Sequence, residues 1–120
     1  MSCLRINRTG RVKTKTSSSN QCKATGHREY DYHVCIVVPS TNLDKNKFII
    51  DHVKIHEIVE KEFKNISSCE EIALRIAKRI KQKLPKNNIQ IMDLYILIRP
   101  VVPGKAPAWM EYSETGDFLK

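Results

Sequence analysis

FIIDHVKIHEIVEKEFKNISSCEEIALRIAKRIKQKL, residues Phe48 to Leu84, is the stretch on which the fold turns. It reads as the end of a strand, a helix, a short break and a second, cleaner helix. In the first helix Ile55, Ile58, Val59 and Phe63 recur at helical spacing, with Lys54, Glu57, Glu60 and Lys61 on the other side. In the second, Ile72, Ala73, Ile76, Ala77, Ile80 and Leu84 form one apolar stripe, and Glu71, Arg75, Lys78, Arg79 and Gln82 lie opposite. Its start is marked twice. Ser67 with Glu70, or Ser68 with Glu71, can make a reciprocal capping box. Lys81, Lys83 and Lys86 gather where cations suit the helix dipole, and Pro85 stops the helix. Two consecutive helices with one apolar face each need a sheet to cover.

The flanking sequence supplies that sheet. Residues 1–20 alternate weakly, with Leu4, Ile6, Val12, Thr14 and Thr16 set against Arg11, Lys13 and Lys15, and end in a Ser17–Asn20 loop. Tyr30 to Pro39 is a stronger strand, with Tyr30, Tyr32, Val34, Ile36 and Val38 on one face and Asp31, His33, Cys35 and Val37 on the other. Turn residues follow, and Lys47 to Ile50 resumes extended chain. Ile89 to Arg99 reads as a third strand and Ala108 to Tyr112 as a short fourth, separated by a loop rich in proline. The order ββααββ predicts an α+β domain, an antiparallel four-stranded sheet with both helices on one face. At 120 residues the chain is read as a single domain, 1–120, with a loose tail over about 114–120.

Bulk properties exclude several classes. Apolar residues make up 41% and the longest apolar run is too short to span a bilayer, so no membrane partner is expected. No export signal is visible, and Cys3, Cys22, Cys35 and Cys69 lack metal-type spacing. They read as free thiols of a cytoplasmic protein. A formal charge of +8 favours anionic partners without choosing between nucleic acid and phosphorylated metabolites.

Element order and several short motifs resemble the tunnelling-fold superfamily, which includes 6-pyruvoyl-tetrahydropterin synthases and dihydroneopterin aldolases. Cys22-Lys-Ala-Thr-Gly-His27 followed by Tyr30 is similar to the synthase cysteine shortly before His-Gly-His and a strand. Phe48-Ile-Ile-Asp51 is similar to the apolar-Asp lead into a helix in the synthases and to the aldolases' Val-Asp-Tyr. Ser67-Ser-Cys-Glu70-Glu-Ile-Ala73 resembles Pro-Thr-x-Glu-x-Leu-Ala of the synthases and Glu-Thr-Leu-Ala of the aldolases. Ile98-Arg99-Pro100 with Ala106-Pro107-Ala108 resembles the aldolase strand ending in Lys-Pro with a following Ala-Pro. The resemblance implies a homo-oligomer, tetramer or larger, whose joined sheets form a barrel, and a pterin or purine-like small molecule as ligand.

It also implies where chemistry would lie. The aldolase glutamate at the Glu70 position anchors the pterin ring through its N–H groups, a fit for a carboxylate with two acceptor oxygens. The competing reading is that Glu70 only caps its helix. Cys22 and His27 match the synthase loop, either as thiolate and carbonyl-polarising groups or as plain loop residues. His52 stands where the aldolases have tyrosine, and Arg99 where they have lysine. Arg99 can stabilise an anion but stays protonated and so makes a poor base. The synthases hold zinc with three histidines. Here the first strand has none and Thr25 replaces one of the pair, so no metal and no other cofactor are expected. His52 and His56 have a metal-compatible spacing without a third ligand, most simply a coincidence. Trp109 and Tyr112 read as packing on the last strand or as subunit contacts.

The expected function is therefore that of a pterin-metabolism lyase-like protein, with Cys22, His27, His52 and Arg99 in acid/base or charge roles and Glu70 binding substrate. The alternatives are a non-catalytic pterin- or purine-binding relative, and a basic nucleic-acid-binding α+β domain. The last is less favoured, because the sequence has neither a GXXG loop nor the aromatic motifs of familiar RNA modules.

Overall fold

Alternation along one central strand sets the architecture. In the computed structural model, which describes residues 2–14, 29–40, 51–64, 68–83, 90–101 and 109–119, the elements run β1 (Cys3–Lys13), β2 (Glu29–Pro39), α1 (His52–Lys64), α2 (Cys69–Lys83), β3 (Asp93–Pro100) and β4 (Met110–Ser113). A short 3-10 turn, Asp117–Leu119, ends the described chain. The four strands form one antiparallel sheet in the order β1-β2-β3-β4. Tyr30, Tyr32, Val34, Ile36 and Val38 of β2 are buried, as are Leu94, Ile96 and Ile98 of β3. They face Ile55, Ile58, Val59 and Phe63 of α1 and Ile72, Ala73, Ile76, Ala77 and Ile80 of α2 in one core. The period of two on the strands and 3.6 on the helices thus meet across a single layer boundary. The expected Ser17–Asn20 loop, the extended Lys47–Ile50 and the stop at Pro85 lie outside the described residues. Among those residues, no helix is long and apolar enough to cross a membrane.

Both helices start on side-chain caps. Asp51 Oδ1 accepts the Val53 N–H at 2.9 Å, and Ser68 Oγ accepts the Glu71 N–H at 3.2 Å. Of the two capping boxes that the sequence allows, the serine half of the Ser68–Glu71 pair is formed, and Ser67 of the other lies outside the described residues. The outer face of α2 is less solvated than its cations suggest. Glu62 of α1 is buried, and Arg75 and Arg79 approach its carboxylate at 3.4 and 3.9 Å across the helix pair. Arg75 also donates to the Glu62 carbonyl at 3.2 Å. A buried carboxylate needs such partners, which ties the helices to each other.

The strand ends differ from expectation, for local reasons. The third strand begins at Asp93, with residues 90–92 outside it and Ile89 outside the described residues, and the buried Asp93 carboxylate turns onto its own surroundings. Oδ1 accepts the Leu94 N–H at 2.8 Å and Oδ2 accepts the Thr115 hydroxyl at 2.8 Å. The fourth strand, expected over Ala108–Tyr112, runs Met110–Ser113, with Trp109 before it and Ala108 outside the described residues. The stretch read as a loose tail is tied down over residues 114–119. Gly116 adopts φ +85°, which glycine tolerates, and its N–H reaches Ser113 Oγ at 2.9 Å. Phe118 then packs on Tyr95, with ring centroids 5.4 Å apart and the Arg5 guanidinium 5.3 Å from the Phe118 centroid. The C-terminal turn thus lies on the face of the sheet away from the helices.

β1 joins the helix side through Val12, Leu4 and Ile6 and, at α1, through a polar chain as well. Tyr32 leans over Gly10, and a Cβ there would sit 2.7 Å from Tyr32 Cε2 and 2.8 Å from its hydroxyl oxygen. The space left by Gly10 lets that oxygen lie 3.3 Å from Arg8 Nε and 2.6 Å from His56 Nδ1. Gly10→Ala should lower unfolding stability by about 1–3 kcal/mol through overpacking against Tyr32, read as a lower urea midpoint. An unchanged midpoint would show that Tyr32 can move aside at no cost.

Candidate functional site

The site begins with the first turn of α2. Ser68 supplies the cap, so the Glu70 carboxylate is not consumed by it. Glu70 is exposed and has no partner among the described residues. The last turn of α2 is fixed beside the start of β3, because Lys81 pairs with Glu114 at 2.8 Å and the Glu114 N–H donates to the Leu94 carbonyl. Traced back along the sheet, the first turn with Glu70 lies toward the other end of β3, where Arg99 and Pro100 close the strand.

Arg99 is part of a charged row across the helix-free face. Arg11, Asp31 and Arg99 sit opposite one another on β1, β2 and β3. Arg11 Nε lies 2.8 Å from Asp31 Oδ1, and Arg99 NH2 lies 3.4 Å from Oδ2. Asp31 therefore holds two guanidiniums. Its pKa falls below the ordinary value of 3.8, chiefly because Arg11 donates to it, with Arg99 adding a smaller pull. Arg99 stays about half exposed, a tethered cation beside open space.

His52 is elsewhere. Phe63 of α1 packs on Tyr30 and His56 packs on Tyr32, so the helix advances toward the Arg99 end of the sheet and His52 lies at its far end. Twelve residues of helix separate His52 from Lys64, roughly 18 Å along the axis. Within one chain Glu70 and Arg99 lie toward one end of the sheet but in opposite layers, Glu70 on the helix side and Arg99 on the helix-free face, and His52 lies at the far end of α1. Cys22 and His27 lie outside the described residues. His56, one turn beyond His52, has both ring nitrogens engaged. Nδ1 meets the Tyr32 hydroxyl, and Nε2 lies 3.0 Å from Glu60 Oε2. With Nε2–H facing the carboxylate, Nδ1 accepts the tyrosine O–H. The His52–His56 spacing therefore offers one uncommitted imidazole, not two.

Sequence reading missed the Arg8–Tyr32–His56–Glu60 chain and the Asp31 row. The alternation that puts Tyr32 in the core is visible in the sequence. That its hydroxyl escapes past a glycine on the neighbouring strand depends on register, which the sequence does not display. Trp109, read as packing or a subunit contact, is 57% exposed and so is not packed within the chain.

The Asp31 row makes a pH test. A carboxylate whose folded pKa is depressed stabilises the fold above its ordinary value, and that stabilisation is lost as pH falls through the folded value. Asp31→Asn should lower the urea midpoint at pH 7, and by less at acid pH as the wild-type carboxylate takes up its proton on passing through the depressed folded value. An equal deficit at both pH values would mean that Asp31 acts by packing or neutral hydrogen bonds.

No family model matches the chain, and no curated protein matches it by sequence. Solved structures do match. A dihydroneopterin aldolase from Burkholderia thailendensis, bound to guanine, is similar with a TM-score of 0.66 at 16% identity, covering 93% of this chain and 90% of that one. A protein assigned as dihydroneopterin aldolase (FolB) from Vibrio cholerae is similar with a TM-score of 0.62 at 13% identity, covering 95% of this chain and 98% of that one. The likeness shows the fold: the chain has the antiparallel α+β tunnelling fold of these structures.

Proposed function

We propose that this protein binds a pterin or purine-like heterocycle at a site built between copies of the chain and acts as a lyase-like protein of pterin metabolism. The observation that carries the reading is Glu70, an exposed carboxylate at a helix start whose cap is provided by another residue. Two acceptor oxygens match the adjacent N–H groups of a 2-amino-4-oxo ring edge. The fold shared with aldolases, one of them solved with guanine, supports the ligand class. Arg99 is suited to holding negative charge that develops on the ring or its side chain, and His52 to moving a proton. Cys22 and His27 remain candidates for the same work. No metal enters the scheme.

The separation of His52 from Glu70 within one chain favours a composite site. α1 contacts β1, whereas α2 contacts β3 and β4. If the free edge of β1 pairs with β4 of the next copy, α1 of one copy comes to lie beside α2 of the other. The edges are complementary in charge. β1 carries Arg5, Arg8, Arg11 and Lys13 and no acidic residue, while residues 110–119 carry Glu111, Glu114 and Asp117 and no cation. Unpaired edges of opposite charge suit a closed ring.

Two experiments test this reading. Light scattering should give the mass of a tetramer or larger, and salt should weaken the assembly because the edges are charged. A monomer at low salt would contradict it. Calorimetric titration with 7,8-dihydroneopterin or guanine should show binding that Glu70→Gln weakens roughly tenfold to a hundredfold. That change sets N–H against N–H and removes a charge-assisted bond worth on the order of 1.5–3 kcal/mol. If the two proteins bind equally, Glu70 is not the anchor. If wild type binds neither ligand, the heterocycle reading itself fails.

A further inference from the structure

The charges of the helix layer are unevenly placed. α2 keeps its acids, Glu70 and Glu71, in its first turn, and every charged residue from Arg75 to Lys83 is basic. α1 carries Lys61 and Lys64 in its last turn. The two helices pack on each other, and a buried carboxylate fixes which basic residues meet along their seam. Glu62 of α1 draws Arg75 Nε to 3.4 Å and Arg79 Nε to 3.9 Å. Arg75 also donates to the Glu62 carbonyl at 3.2 Å. Arg79 keeps 48% of its side chain exposed.

Two exposed lysines flank this contact. Lys61 adjoins Glu62 in the chain, and Lys78 adjoins Arg79. Lys61 stands one helical step from Glu62, turned away from the buried Ile58, Val59 and Phe63, on the outer side of the seam. Arg75 and Arg79 occupy successive turns of α2, roughly 6 Å apart along its axis. Against these cations stand the buried Glu62 and, one turn before Lys61, the exposed Glu57. Positive charge is in excess here. Elsewhere on the helices charges are matched: Glu60 faces His56 at 3.0 Å and Lys81 faces Glu114 at 2.8 Å.

The seam's cations are strung along two helices instead of converging on one point. A lone phosphate group requires convergence, whereas a chain of phosphates meets such a row one group at a time. Guanidinium forks held in place by a carboxylate are also matched to phosphate oxygens. Phe63 is the one phenylalanine, tyrosine or tryptophan of the two helices, and it is buried, so they offer no ring on which a base could stack. We propose that the outer seam of the α1–α2 pair binds the phosphate backbone of nucleic acid through Lys61, Arg75, Lys78 and Arg79, without reading its sequence. This binding does not depend on the heterocycle reading.

Arg75 and Arg79 hold a buried carboxylate, so the lysines are the residues to change. Anisotropy of a short labelled single-stranded RNA, titrated with the wild-type protein at several salt concentrations, should show affinity falling linearly on logarithmic axes. Lys61→Gln and Lys78→Gln should each make that slope shallower by about 0.7, the loss of one phosphate contact on a single strand. Lys81→Gln removes the same charge from α2, but from a lysine already held by Glu114, and should leave the slope unchanged. An RNA of scrambled sequence should bind as tightly as the first, and polyglutamate of matched charge more weakly. Absence of RNA binding to wild type at low salt overturns the proposal. Equal changes in all three variants overturn it too, since net charge and not the seam would then be acting. A preference for one RNA sequence contradicts backbone-only contact, and polyglutamate binding as tight as RNA reduces the seam to an unselective cationic face.

Discussion

The burial of one sheet face under two helices governs this molecule. The inward residues of β2 and β3 are large and apolar, and they are matched by stripes on α1 and α2 that leave no room for a slip in register. A shift by one residue would bring Asp31, His33 and Arg99 into the core and expel Tyr30, Tyr32 and Ile98. Most charged groups are consequently distributed outside this layer, with the buried Glu62 and Asp93 as exceptions. The charged row lies on the opposite face, the helix-start carboxylate lies at one end, and among the described residues both edges of the sheet are left without strand partners.

The strongest of these features were legible in the sequence because each is written in neighbouring residues. The faces of β2, the apolar stripe of α2 and the antiparallel ββααββ order follow from local period, and Asp51 at the start of α1 from the motif resemblance. What could not be read depends on residues far apart in the chain. Gly10 matters because Tyr32 lies across it, and Glu62 is buried because Arg75 and Arg79 reach it from the next helix. The tail was judged loose from its composition, yet the Thr115 hydroxyl donates to Asp93, which lies 22 residues earlier. Strand ends were misplaced for the same reason, since Asp93 closes β3 through a bond that only the fold creates.

The candidate site divides along the same line. Glu70 and Arg99 were singled out by motif, and the fold sets them toward one end of the sheet. His52 was singled out by the same logic and lies at the far end of α1. A motif records which residues a family uses, without stating which chain supplies them. The geometry of one chain thus directs attention to its edges, where a helix from a neighbouring copy could complete what Glu70 begins. The departures from the family pattern, arginine for lysine and histidine for tyrosine, change the chemistry available at those positions. Arg99 is a permanent cation held by Asp31, better suited to stabilising charge than to taking a proton.

The central claim is that a flat heterocycle sits between copies of this chain with its N–H edge on Glu70. A crystal structure of the assembled protein grown with guanine tests it most directly. The account predicts a closed ring in which β1 of each copy pairs with β4 of the next. Guanine should lie at the junction within hydrogen-bonding distance of the Glu70 carboxylate, with an α1 start from the neighbouring copy close by. A monomer, or a ring in which guanine is bound away from Glu70 while that carboxylate faces solvent, would contradict it.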